Sequence, residues 1–196
     1  MINPVKIGRS IAEDILKEAS PDVGPCFYPG KFKPPHKGHF EAAKYLASKP
    51  YINKVYVIIS RLTKFGITPE DSLYIWNEYL KAEPNPKISV SISKESTPIK
   101  DIFVFMDENP EVDPIYVAGA GEEVEGLGYF DALQKRFPDR VRKEVVHDQF
   151  ERISATQMRD AIKVGDMKRV EKFITDAAYN NGVTKDVFSR LLKIMK

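Results

Sequence analysis

The chain has 196 residues, enough for one domain of usual size and short for two. Hydrophobic residues at 42% and charged residues at 30% give a globular rather than a disordered balance, and a single cysteine, Cys26, excludes an intrachain disulfide or a multi-cysteine zinc site. A net charge of +2 lacks the basic surplus of a dedicated nucleic-acid binder, and no apolar run approaches the roughly 20 residues of a membrane span.

The N-terminus carries Asn3, Pro4, Arg9, Glu13 and Asp14 and has no apolar core of the secretory kind, so a soluble, cytoplasmic protein is expected. Ile7, Ile11, Ile15 and Leu16 recur at helical spacing, which predicts an amphipathic helix over 7–19. Residues 1–24 are read as an N-terminal helical extension. A homo-oligomer using that helix is left open. A breaker, Ser20-Pro-Asp-Val-Gly-Pro25, separates it from the rest.

Strands and helices then alternate. Cys26-Phe-Tyr28 is a short strand ending at Pro29-Gly30, followed by a Pro- and Lys-rich loop over 31–38. The next helix runs to about residue 48 with Ala42, Ala43, Leu46 and Ala47 inward. Val55 to Ile59 is a β-branched run of the buried, parallel kind. Thr68-Pro-Glu-Asp71 opens a helix: a threonine cap, proline at the first helical position, acids in the first turn. Ile88 to Ile92 alternates with serines, a strand with one wetter face. Thr97-Pro98 opens a helix carrying Ile102, Phe103 and Met106. Pro114 to Ala118 is a strand running into Gly119-Ala-Gly121; 129–137 reads as helix and Val141 to Val146 as strand. Ser154 to Val164 is a helix ended by Gly165, Asp166 caps the next, and Thr184 to Met195 is the last.

The fold class expected is therefore α/β and Rossmann-like: a parallel sheet of about five strands flanked by helices, with helices appended at both ends. The domain would span 25–175, with 176–196 packed on it. Ligands of such sheets bind beyond the C-terminal strand ends, near the switch point in strand order.

The loop after the first strand, Gly30-Lys-Phe-Lys-Pro-Pro-His36-Lys-Gly38-His39, holds two of the three histidines at a helix start. Imidazoles three apart share a helix face, and the helix end offers free amides and a positive dipole. With Lys31, Lys33 and Lys37 beside them, and Gly38 allowing close backbone approach, this is a polyphosphate cradle. A zinc pair is the rival, but no third ligand lies nearby in sequence. The second constellation is Ile153-Ser154-Ala-Thr156-Gln157-Met-Arg159. Ser154 and Gln157 have capping-box spacing, so a well-capped surface helix is the plain reading. Thr156 and Arg159 add a hydroxyl and a guanidinium suited to phosphate. Gly119 and Gly121 are a small-residue turn; neither a dinucleotide fingerprint nor a Walker motif is present. His147 and Cys26 read as structural.

Together, His36-Lys-Gly38-His39 and Ile153 to Arg159 resemble the HxGH and ISSTxxR-type signatures of the nucleotidylyltransferase superfamily. The likeness covers about residues 25–175. It implies attack by a phosphate monoester on the α-phosphorus of an NTP, normally with Mg2+, and release of pyrophosphate. His36, His39, Lys33 and Arg159 would be catalytic. Gly30, Lys31, Phe32, Gly38, Gly119, Gly121, Ser154 and Thr156 would bind the nucleotide, with Ser154, Thr156 and Arg159 on the leaving pyrophosphate. Arg61 or Lys64, after the second strand, would hold the phosphate of a small phosphorylated acceptor; no residue is expected to be a metal ligand, and no nucleic acid or membrane partner is implied. The loop Gly30-Lys-Phe-Lys-Pro34 is most similar to that of archaeal-type nicotinamide-mononucleotide adenylyltransferases, which implies ATP as donor and NAD as product. A cytidylyltransferase acting on a phosphorylated alcohol or sugar, and a nucleotide-binding module without catalysis, are the alternatives.

Overall fold

The computed structural model describes residues 23–120, 128–146 and 154–195. The expected helix over 7–19, Gly121 and His147 lie outside them.

Five strands form one sheet: β1 (Gly24–Gly30), β2 (Ile52–Ile59), β3 (Ile88–Ile92), β4 (Ile115–Ala120) and β5 (Val141–Val146). Every neighbouring pair is parallel and the order is β3-β2-β1-β4-β5. The crossovers supply α1 (Lys37–Ser48), α2 (Pro69–Ala82), α3 (Pro98–Glu108) and α4 (Gly128–Arg136). After β5 come α5 (Ala155–Lys163), α6 (Met167–Glu171), α7 (Asp176–Asn180) and α8 (Val183–Met195). This is the doubly wound, Rossmann-like α/β arrangement, with the switch point between β1 and β4.

Alternation along each strand builds two cores. Cys26, Tyr28, Val55, Val57, Tyr116 and Ala118 face one side and pack with Phe40, Leu46, Ile75, Trp76 and Tyr79 of α1 and α2. The C-terminal helices join this core through Met158, Ile162, Val187 and Leu191. Phe27, Ile58, Ile115 and Val117 face the other side and meet Ile102, Met106 and Leu133 of α3 and α4. A strand covered on both faces must be apolar at every position, which is why Val55 to Ile59 reads as a continuous run. The sheet edge β3 is wetter: Ser91 is exposed and Val90 half-buried.

Local signals place the helix starts. Thr68 Oγ1 accepts from the Asp71 amide at 3.1 Å, and Asp71 Oδ2 accepts from the Thr68 amide at 2.9 Å. Ser154 Oγ accepts from the Gln157 amide at 3.2 Å, and Asp166 Oδ1 from the Arg169 amide at 2.9 Å. Strand bounds shift from expectation: β1 takes in Gly24 and Pro25, read as part of a breaker, and β4 runs two residues past Ala118, so Gly119 is a strand residue paired with Val145 rather than part of a turn. The pairing to β5 extends the ladder beyond the last bulky residue. No helix of the described residues is long and apolar enough to cross a membrane.

Candidate active site

The site gathers beyond the C-terminal end of β1, where Gly30 pairs with Ile59. The chain leaves the sheet at Gly30 and turns back through Phe32, whose φ is 51°. This left-handed turn tucks the Phe32 ring over Gly30: a Cβ at Gly30 would lie 2.5 Å from the ring tip. The ring meets Tyr28, Trp76 and His39 edge to face, with centroids 5.4, 5.4 and 5.0 Å away. Phe32 is thus a wedge that sets the height of the histidines rather than an exposed contact.

His36 caps α1 and His39 sits one turn in. Their rings stack face to face with centroids 3.7 Å apart. His39 Nδ1 accepts from the His36 amide at 3.3 Å, so its ring proton is assigned to Nε2. His36 is 5% exposed and its Nδ1 has no hydrogen-bond partner. Burial pushes the His36 pKa down from 6.5 to about 4. His39 is held well below the ordinary value by burial and by His36 beside it. Both imidazoles are neutral at pH 7, so each ring carries one N–H. The amide of Lys37 is engaged by the Phe173 carbonyl at 2.7 Å, which fixes the helix start to the C-terminal helices.

Lys33 is buried, and its ammonium donates to Ser72 Oγ at 3.1 Å. Ser72 Oγ donates in turn to the Phe32 carbonyl at 2.7 Å. Burial lowers the Lys33 pKa to about 8, opposed by Asp71 and Glu70. Asp71 is itself taken by Arg190 of α8, at 2.8 Å from Nε and 2.7 Å from a terminal nitrogen.

The second motif comes to the first across 126 residues. Arg159 donates to the Lys33 carbonyl at 2.7 Å and to Thr156 Oγ1 at 2.7 Å. Its guanidinium lies 3.9 Å from the centroid of Phe65. Burial lowers its pKa, opposed by Asp160. Two of its five N–H groups are committed to the protein, and the rest of the fork is available to an anion. Ser154 and Thr156 are exposed.

Arg61 and Lys64 are exposed on the loop after β2. Arg61 donates to the Lys94 carbonyl at 3.0 Å, bridging the ends of β2 and β3. Below it opens a cleft of about 580 Å3 lined by Arg61, Thr63, Pro69, Glu70, Ile92, Ser93 and Lys94. Its volume suits a small molecule, and its walls carry both signs of charge. Lys64 is not part of that lining; its ammonium stands 4.9 Å from the Phe65 ring. Lys31 is exposed and Gly38 half-buried in the first turn of α1. Cys26 is fully buried and its thiol pKa is raised by desolvation, as fits a core residue. Ser72, Glu70 and Phe65 are neighbours that no motif marks; only their positions beside the strand ends could have signalled them.

Among the described residues no three His, Cys, Asp or Glu side chains converge as a metal site.

No family model matches the sequence, and no match to a curated protein is found. Solved structures do match. The Plasmodium falciparum nicotinic acid mononucleotide adenylyltransferase complexed with NaAD aligns at a TM-score of 0.60 and 13% identity, over 85% of this chain and 98% of that one. The same enzyme complexed with APC gives 0.59 and 13% over the same shares. A Vibrio parahaemolyticus protein assigned as a nicotinate-nucleotide adenylyltransferase gives 0.57 and 12%, over 85% and 95%. At such identities the likeness is one of fold.

Proposed function

We propose that the protein is a nucleotidylyltransferase that moves the adenylyl group of ATP to a pyridine mononucleotide, forming the dinucleotide and pyrophosphate. The observation that carries this reading is the stacked, neutral pair His36 and His39 at the start of α1, beyond the end of β1. The fold shared with the Plasmodium and Vibrio structures supports an adenylyl donor and an acceptor of the nicotinamide or nicotinic acid type.

The chemistry is a displacement at the α-phosphorus. An oxygen of the acceptor phosphate forms the new P–O bond, and the bond to the bridging oxygen of the β-phosphate breaks. Negative charge builds on that leaving oxygen. Nothing in such a reaction requires a covalent bond to the protein; catalysis is positioning plus stabilisation of charge. Neutral imidazole N–H groups can donate to that charge without an unpaired cation having to be kept in the buried pocket when no ligand is bound. The remaining N–H groups of Arg159, with Thr156 and Ser154, would hold the pyrophosphate portion. Lys33 supplies charge from below the loop while its ammonium stays fixed to Ser72. Mg2+ enters as the magnesium complex of ATP. Arg61, at the mouth of the cleft between β2 and β3, would take the acceptor phosphate, with Lys64 on the same loop.

The test is incubation of the protein with magnesium ATP and, in parallel, nicotinamide mononucleotide or nicotinic acid mononucleotide, followed by chromatography for dinucleotide and pyrophosphate. Product in either arm, lost in His36→Ala with folding intact, is the expected result. Absence of product in both arms removes the pyridine acceptor, and unchanged turnover in His36→Ala removes the catalytic assignment.

A further inference from the structure

Phe65 is an exposed aromatic in an unusual place. It stands at the tip of a two-residue hairpin in which Lys64 and Ile67 exchange backbone hydrogen bonds of 3.1 and 3.0 Å. Both tip residues are left-handed, Phe65 at a φ of 57° and Gly66 at 77°. That is the signature of a tight turn whose twist matches its arms. A phenylalanine accepts such a φ only at a cost, since left-handed backbone favours glycine or asparagine. The residue is 47% exposed, so burial of apolar area does not account for it.

What the ring does touch is charge. The Arg159 guanidinium lies 3.9 Å from its centroid, and the Lys64 ammonium 4.9 Å. The hairpin is braced from behind: a Cβ at Gly66 would stand 3.1 Å from Ile194 of α8. Ile67 is fully buried and roots the turn in the core. The hairpin therefore holds one aromatic face in a fixed place against one guanidinium.

We propose that Phe65 is a positioning residue for the polyphosphate site: its ring stacks on Arg159 and fixes the plane of the guanidinium. Two edges of Arg159 are already pinned by Thr156 and the Lys33 carbonyl. Hydrogen bonds alone leave the fork free to tilt about those contacts. The stacked ring removes that freedom, so the uncommitted N–H groups keep one direction for an incoming phosphate. Bidentate recognition depends on such planarity. This inference rests on the polyphosphate reading of the site given above.

The test is calorimetric binding of inorganic tripolyphosphate, with steady-state kinetics for ATP, on wild type, Phe65→Leu, Phe65→Tyr and the same changes in an Arg159→Ala background. Leucine keeps bulk and loses the π face; tyrosine keeps both. A cation–π contact of this exposure predicts roughly fivefold weaker tripolyphosphate binding in Phe65→Leu, a similar rise in KM for ATP, and little change in thermal midpoint. Tyrosine restores wild-type binding. In the Arg159→Ala background, leucine at 65 has no further effect, because the ring acts through the guanidinium. Equal tripolyphosphate affinity in wild type and Phe65→Leu overturns the proposal while leaving the polyphosphate site standing. Weaker binding that persists undiminished in the Arg159→Ala background also overturns it. Failure of the wild type to bind tripolyphosphate at all overturns the underlying functional reading instead.

Discussion

The neutral histidine pair makes a prediction that needs no substrate. In the folded chain the His36 pKa is depressed from 6.5 to about 4 by burial. In the unfolded chain it returns to about 6.5. Between those values the unfolded state binds more protons than the native state, so stability rises with pH across the window and falls as pH drops through it. At roughly 1.4 kcal/mol per pH unit, the full displacement costs about 3 kcal/mol by pH 4. Between pH 7 and pH 5 the loss from His36 alone is about 2 kcal/mol. His39, also depressed, adds to the slope. Asp71 titrates below this range, since its own pKa is lowered by the Thr68 and Arg190 hydrogen bonds against the opposing effect of burial. The perturbation is His36→Asn, which places a residue favoured at the N-cap at the start of α1 and removes the titrating ring. Urea denaturation of both proteins from pH 8 to pH 5 is the assay. The wild type should lose about 2 kcal/mol more than the variant between pH 7 and pH 5. Parallel curves for the two proteins would refute the buried, neutral assignment of His36.

Two further outcomes follow from the loop after β1. Gly30→Ala drives a methyl to 2.5 Å from the Phe32 ring, so the wedge must move; we expect destabilisation of about 1–3 kcal/mol in urea melts and, with His39 displaced, a larger fractional loss of turnover. Ser72→Ala leaves the Phe32 carbonyl without its donor and the Lys33 ammonium without its partner; the expected loss is about 1–3 kcal/mol, and adding Lys33→Met should recover part of it by removing the stranded charge, as a thermal-melt comparison would show.

The legible parts of this protein are those whose cause is local. Thr68 with Pro69, Ser154 with Gln157, and Asp166 each cap a helix through a bond spanning three residues, so spacing alone locates them. The apolar residues of α1 follow from period and those of β2 from an unbroken β-branched run, and the alternation of elements dictates a parallel sheet. The histidine loop is legible as well, since both imidazoles sit on adjacent turns. What sequence does not reveal is which long-range partner each polar group finds. Lys33 reads as part of a polyphosphate cradle, yet its ammonium is bonded 39 residues away to Ser72. Arg159 reads as a guanidinium for phosphate, yet it also bonds the Lys33 carbonyl. Phe65 looks like an ordinary loop residue, because its significance comes from a guanidinium 94 positions later. Gly119 looks like a turn, because strand length is set by the neighbouring strand rather than by residue type.

The bond between the Lys37 amide and the Phe173 carbonyl has a consequence for biosynthesis. Chains emerge from the ribosome N-terminus first and fold as units when enough of them is out. A nascent chain that has reached Val146 already contains all five strands. The histidine loop at that stage still lacks Arg159 beneath its Lys33 carbonyl and Phe173 against its first helical amide. Arg159 follows 13 residues after Val146 and Phe173 27 residues after it. The histidine end of the molecule therefore cannot be completed until the helices after β5 have been made.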